Sequence, residues 1–377
     1  MIQLFNILKR QYQTLNLIQI SHDALTHNYH HLSSLDQNLK VAPVLKSNAY
    51  GHGITEAAKV LDSLGAPFFC VDSLYEAYEL LKAHIKTPIL IMGYTHPNNF
   101  KVKKLPFSYA VYDLQMAQVL NNYQWDAKIH IKIDTGMHRL GVPLEELSAF
   151  LQELKKLPNL KVEGVMSHLA SASNTQDTLY QTQVKNFKQA LKIIRKSGFD
   201  PKWVHLSASA GLLNPQIRKE LSKFSNMARC GLSVYGISPN KESSHLKPAL
   251  KLTTKIAQIK KLKKGDKIGY DGTYTAKKEL ILGVLPIGYF DGVDRRLSNQ
   301  GAFLVEGVKC PIVGRVSMNI TTIDLSKVKN PQVNQEVVIF SDQAKDPNSI
   351  QNAAQTCQTI PYDLLVHLAS STRREVV

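Results

Sequence analysis

Between residues 41 and 230 the chain alternates short apolar runs with segments of helical period. The runs are Val41–Leu45, Phe68–Val71, Pro88–Met92, Ser108–Tyr112, Lys128–Ile133, Lys161–Ser167, Trp203–Leu206 and Asn226–Cys230. The helical segments are Ile54–Leu64, Leu74–Ile85, Leu114–Tyr123, Leu144–Leu157, Thr182–Lys196 and Gln216–Phe224. Leu147, Phe150, Leu151 and Leu154 recur at the spacing that places them on one helix face. Pro143 stands just inside that helix's start and Pro158 closes it, while Asp113 and Asn214 read as N-caps, the latter followed by Pro215. Strands alternating with helices predict βαβ units and a parallel sheet. Eight strands close a (β/α)8 barrel; a doubly wound open sheet is the competing architecture.

Polar residues separate the two. An open sheet gathers them near one switch point, a barrel at the C-terminal ends of many strands. Here Lys46 follows the first run, Asp134-Thr135-Gly136-Met137-His138-Arg139 the fifth, His168 the sixth, Ser207 and Ser209 the seventh, and Arg229 ends the eighth. Each alone is an ordinary turn or strand-end residue. Five such stations on one face favour the barrel. Lys46 is the most informative of them. A lysine at a strand end usually reaches solvent along its aliphatic stem. The other reading is a nucleophilic amine, which a Schiff-base lysine provides once burial favours its neutral form.

After about residue 240 the pattern changes. Ser238–Ser244 is turn-rich and reads as a linker. Then come β-type runs at Leu252–Ile259, Lys267–Tyr274, Leu280–Ile287, Phe303–Val305, Cys310–Met318, Ile320–Leu325 and Glu336–Phe340, with helical patterning only near Ser349–Cys357 and Tyr362–Leu368. This predicts a separate, mostly β domain. The expected division is a short N-terminal extension over 1–17, a barrel over 18–240 and a β domain over 241–377.

Composition excludes several classes. No run approaches the 18 apolar residues of a membrane span. The N-terminal segment has its Lys9-Arg10 pair after its apolar residues and lacks a small-residue cleavage site, so a cytoplasmic protein is expected. Cys70, Cys230, Cys310 and Cys357 are far apart and form no C-x-x-C pair, which argues against a zinc site or a disulfide framework. Lys and Arg total 46 against 30 acids, a formal charge of +16. The lysines are scattered and not interleaved with aromatics, so a solvated basic surface is expected rather than a nucleic-acid interface.

Taken in order, VLKSNAYGHG, KIDTGMHRLG, MSHLAS, HLSASA, RCGLSVYG, GYDGTYTA, PIGYFDG and GRVSMN resemble the motifs of the alanine racemase family. The resemblance runs from about Ile18 to Leu368. It implies a pyridoxal-phosphate enzyme with a barrel and a C-terminal β domain, interconverting L- and D-alanine for cell-wall peptidoglycan. By this resemblance Lys46 is the lysine that binds the cofactor covalently, and Tyr50, Ser209, Gly231 and Leu232 hold its phosphate. Arg229 faces the pyridine nitrogen, and His168 lies beside the ring. Tyr270 is the second base, Arg139 binds the substrate carboxylate, and Lys132, carbamylated in some members, braces Arg139. Met318 reaches the substrate through its backbone. Tyr270 and Met318 come from the partner subunit, which implies a homodimer.

The chemistry fits these residue types. Racemisation removes a proton from one face of the α-carbon and returns one to the other, so two bases on opposite faces suffice. Lys46 serves one face. Tyr270 serves the other if nearby positive charge, from His168 with Arg229, lowers its pKa. An arginine at the pyridine nitrogen leaves that nitrogen unprotonated and suits racemisation, whereas a decarboxylase of this fold prefers an acid there. A racemase of broader specificity is a further alternative, and a non-catalytic cofactor binder would resemble only the barrel half. Three positions depart from the family pattern: Ala208 where an amide is common, Asn319 where an aspartate is usual, and Ser370 near the position of an entrance tyrosine.

Overall fold

The computed structural model describes residues 14–172, 174–239 and 245–377. Most of the expected 1–17 extension and of the 238–244 linker lies outside the described residues. Two compact units divide the described residues, those within 21–249 and residues 14–20 with 250–377.

The larger unit contains eight parallel strands: β1 (Lys40–Pro43), β2 (Phe69–Val71), β3 (Ile89–Ile91), β4 (Ser108–Val111), β5 (Ala127–Asp134), β6 (Leu160–Met166), β7 (Trp203–His205) and β8 (Met227–Cys230). Strands β2 to β7 pair in sequence order, and β8 pairs in parallel with β1. Parallel bridges Val44–Cys70 and Ala208–Arg229 join the remaining edges, carried by Leu45 N–H to Cys70 O at 2.8 Å and Arg229 N–H to Ser207 O at 3.0 Å. The ring therefore closes, and no strand edge is left to pair elsewhere. Each apolar run of the sequence became one of these strands. β2, β3, β4 and β8 are buried throughout, which is why they do not alternate apolar with polar residues, whereas β5 and β6 expose Lys128 and Lys161.

Capping explains where several helices begin. Ser73 and Glu76 form a reciprocal capping box, Asp113 and Asp177 accept first-turn N–H groups, and Asn214 caps a helix with Pro215 at its first position. The helix expected over 144–157 runs Leu147–Leu154, with its four apolar-stripe residues buried. Pro143 lies outside it, in a two-residue strand, Val142–Pro143, pairing with the end of β5. In this unit the helix His22–Ser34, the 3-10 turn Pro97–Lys101 and the short turn of helix Ser209–Leu213 escaped the period-based reading.

The second unit is mostly β. A six-stranded sheet has the order Val308–Pro311, Ala302–Val305, Glu336–Phe340, Leu250–Lys255, Leu17–Ile20, Arg373–Val376. A three-stranded sheet combines Gln258–Leu262, Leu280–Leu285 and Thr321–Asp324. Leu17–Ile20 pairs antiparallel with Leu250–Lys255 and parallel with Arg373–Val376. Those ladders tie it to this unit, whereas the sequence division begins the barrel at residue 18. Likewise the second boundary falls after Ala249 rather than at 240. Both differences have one cause: pairing partners more than 200 residues apart are invisible to local periodicity. Among the described residues no helix is long and apolar enough to cross a membrane.

Candidate active site

Chain direction in the barrel carries Lys46, Arg139, His168, Ser209 and Arg229 to the C-terminal ends of β1, β5, β6, β7 and β8. Lys46 leaves β1 through an unusual segment. Ser47, Asn48, Ala49 and Tyr50 all have φ between 52° and 55°, a left-handed turn without a glycine. Left-handed geometry costs L-residues roughly 1–2 kcal/mol each, so it persists only where its surroundings impose it. Glu76 Oε1 accepts Ser47 N–H at 2.5 Å, and Asn48 Oδ1 accepts Ile54 N–H at 2.8 Å. His52 stacks on Tyr235 at 4.4 Å between ring centroids, and the Tyr235 hydroxyl donates to Val44 O at 2.9 Å. The turn leaves Lys46 half-buried and Tyr50 buried.

Tyr50, Ser209 and Gly231 meet. A Cβ on Gly231 would lie 2.4 Å from the Tyr50 phenol oxygen, so only glycine permits this approach. Gly231 N–H donates to Ser209 Oγ at 3.1 Å, and Ser233 Oγ lies 2.9 Å from the same atom. Leu232, next in the chain, is buried.

Arg229 is 3% exposed, yet among the described residues it has no carboxylate partner. Its guanidinium donates to His205 Nδ1 at 2.8 Å, His205 O at 2.9 Å, Ser167 O at 2.6 Å and His168 Nδ1 at 3.2 Å. Burial lowers it to about 10, so it stays charged at neutral pH. His168 is pushed down to about 3 by burial and then by Arg229, Arg139, Lys46 and Lys132. It is therefore neutral, and because Arg229 can only donate, its proton sits on Nε2. Of the His168–Arg229 pair, the guanidinium then carries the charge. Lys132 is lowered to about 8 by burial, then Arg229 and Arg139, against a raising effect of Asp72. Its ammonium donates to Met92 O at 3.3 Å.

Four cations thus act on one spot: Lys46, Lys132, Arg139 and Arg229. Such a field suits a ligand carrying more than one negative group. Arg139 is exposed, on the loop that Asp134 Oδ1 organises by accepting Gly136, Met137 and His138 N–H groups. Among the described residues no group of three or more His, Cys, Asp or Glu is placed to hold a metal.

Tyr270 and Met318 belong to the other compact unit. Tyr270 opens a 3-10 turn after Gly269, beside an Asp271–Arg315 ion pair, and is 70% exposed; Met318 is 55% exposed. Neither is consumed by the packing of its own unit. His205, which holds Arg229, was missed as a site residue; its signal was its place in HLSASA, at the end of a barrel strand.

The family model for the alanine racemase N-terminal domain matches residues 20–239, and that for the C-terminal domain residues 249–376. The chain belongs to the alanine racemase family. An alanine racemase of Syntrophobacter fumaroxidans is 35% identical over 357 residues, covering 92% of this chain and 93% of its own length. One from Carboxydothermus hydrogenoformans is 33% identical over 363 residues, covering 93% and 96%. Among solved structures, an alanine racemase of Clostridium difficile superposes with a TM-score of 0.89 at 29% identity, covering 97% of both chains. The Bacillus anthracis alanine racemase with bound L-Ala-P gives a TM-score of 0.87 at 32% identity, covering 97% of this chain and 96% of that one.

Proposed function

We infer that this chain interconverts L- and D-alanine with pyridoxal 5'-phosphate, as a homodimer. The carrying observation is the buried Arg229 guanidinium, held only by neutral acceptors at the mouth of a four-cation cluster. The donor set suits the cofactor. Ser209 Oγ, Gly231 N–H and the Tyr50 phenol form a cradle, closed by glycine, that fits a phosphate. Arg229 suits the ring nitrogen, and Lys46 the covalent link. When bound, the cofactor withdraws electron density from the substrate and makes its α-proton acidic.

The chain's own residues supply the rest. Lys46 Nζ takes or returns the α-proton on one face. Tyr270 Oη does so on the other, reaching the site from the partner subunit, a reading supported by its exposure in its own unit. Arg139 binds the substrate carboxylate, and Lys132, mostly an ammonium at neutral pH, braces Arg139 once its neutral fraction has reacted with carbon dioxide to form a carbamate. The Met318 backbone borders the substrate. A guanidinium cannot act as an acid at neutral pH, so Arg229 leaves the ring nitrogen bare and moderates electron withdrawal. That favours prompt reprotonation over decarboxylation or transamination. The four cysteines, all reduced and buried, support a reducing compartment, the cytoplasm.

The test is circular dichroism of L-alanine, L-serine and L-lysine incubated with the purified, cofactor-loaded protein. Decay of the L-alanine signal to the racemate, fastest of the three, is expected. An unchanged alanine signal defeats the reading, and faster loss from lysine or serine replaces it with a broader racemase.

A further inference from the structure

Behind Arg229 lies a second set of polar groups that the reaction does not call on. His205 Nε2 is 2.7 Å from His130 Nδ1, and His130 Nε2 is 3.5 Å from Glu163 Oε2. Both imidazoles are fully buried. Glu163 also accepts from Ser108 Oγ at 3.0 Å and faces Lys128 Nζ at 3.4 Å. The contacts run from the N-terminal half of β6, across the barrel interior, to Arg229 at the C-terminal end of β8.

Both ends of this chain admit one direction only. Arginine has no acceptor, so Arg229 must donate to His205 Nδ1. That nitrogen is then bare, the His205 proton is on Nε2, and Nε2 donates to His130 Nδ1. The His130 proton is therefore also on Nε2, facing Glu163 Oε2 at 3.5 Å, an electrostatic contact rather than a full hydrogen bond. An ionised carboxylate can only accept. A protonated histidine anywhere in the row would place two donors face to face, and burial disfavours that form at both rings.

The fold is locally modified to hold this row. The β5–β6 register shifts between Ile129 and His130, so His130 opposes Gly164 and Glu163 becomes the extra residue of a bulge. Bulges re-aim side chains beside active sites. A Cβ on Gly164 would lie 2.3 Å from His130 Nδ1, so glycine makes room for the ring.

We propose that Glu163 is a positioning residue for the racemisation site, acting through His130 and His205 to set the hydrogen bonding and aim of Arg229. It rests on the reading of Arg229 as the cofactor-facing arginine. Glu163 touches no reacting atom; Arg229 dictates which ring nitrogens carry protons, and the carboxylate holds the far end of the row by attracting the His130 Nε2–H, so that His205 Nδ1 stays aimed at the guanidinium.

The test uses the cofactor-loaded enzyme. Ring-nitrogen NMR of selectively labelled histidine should show His130 and His205 neutral, each with Nδ1 bare and Nε2 protonated. In Glu163→Gln the charged acceptor becomes a neutral amide, a weaker anchor for His130 Nε2–H, while Arg229 still dictates the tautomers. Its His130 Nε2 signal should shift and kcat should fall about 10-fold, the usual loss when an outer partner of a site residue is removed, with KM for alanine within about twofold. Glu163→Asp should restore the wild-type histidine pattern and part of kcat. An Nδ1–H on either wild-type histidine overturns the proposal, as does a Glu163→Gln enzyme with wild-type kcat and unchanged His130 signals. The wild-type pattern decides the matter if the variant does not fold. A wild-type protein that fails to racemise alanine defeats the functional reading instead, since the NMR pattern is recorded without turnover.

Discussion

The Tyr50 phenol oxygen fills the space that a Cβ on Gly231 would need, 2.4 Å from it. This one contact joins the end of the Lys46 turn to the loop after β8, so the proposed covalent anchor and the proposed phosphate cradle are set together. Gly231→Ala must displace Tyr50 or the loop. Overpacking of this kind costs about 1–3 kcal/mol, and 1.4 kcal/mol is a factor of ten in binding. The variant should bind pyridoxal phosphate about tenfold or more weakly, measured by titrating the visible absorbance of the apoprotein. Wild-type affinity would show that the cradle lies elsewhere.

Lys46→Ala removes the amine without disturbing the Ser47 contact, because Glu76 grips the Ser47 backbone N–H. The protein should fold, lose the visible band of covalently held cofactor, and lose activity by at least about 10²-fold, the lower end of what a positioned base contributes. Retention of a borohydride-trappable cofactor on another lysine would sink the assignment.

The barrel was legible because each of its strands is short, apolar and bounded by turn residues. Lys46 could be singled out as a strand-end lysine for the same reason. What escaped has a shared character. Leu17–Ile20 joins the C-terminal unit through partners at Leu250–Lys255 and Arg373–Val376, which no local pattern announces. The left-handed turn Ser47–Tyr50 uses residues with no intrinsic preference for it, imposed by Glu76, Asn48 and the surrounding rings. His130 drew no reading from the sequence; its partners come from β6 and β7, and the bulge that brings Glu163 to it depends on inter-strand register. His168 is pushed down first by burial and then by cations from four separate segments, none of which the local sequence around it announces.

Lys132 gives the site a pH dependence. Burial and its cationic neighbours lower it from 10.5 to about 8. The neutral amine is the nucleophile, and its share grows as pH rises through 8. Carbamate formation should therefore increase from about pH 6 to about pH 9 at fixed dissolved carbon dioxide. Native mass spectrometry with and without bicarbonate measures it. With Arg139 better braced, KM for alanine should fall when bicarbonate is added near pH 8, and Lys132→Ala should abolish that response. A bicarbonate effect that survives in Lys132→Ala would place the reaction at another amine.

Tyr270 and Lys46 lie in different compact units, and Tyr270 is 70% exposed in its own. Tyr270→Phe removes only the phenol oxygen. In deuterated solvent it should slow α-proton exchange of L-alanine by about 10²–10³-fold, within the range for loss of a general base, and affect D-alanine exchange far less. Equal slowing of both enantiomers, or of neither, contradicts a two-base division of labour. Mixing decides whether the two residues come from separate subunits. In a dimer of one Lys46→Ala chain and one Tyr270→Phe chain, partner donation leaves one site with both defects and one site with neither. Random reassembly makes half the dimers mixed, so two inactive preparations should recover about a quarter of wild-type activity after joint unfolding and refolding. If Tyr270 served the site of its own chain, every site would keep one defect, and no activity would return.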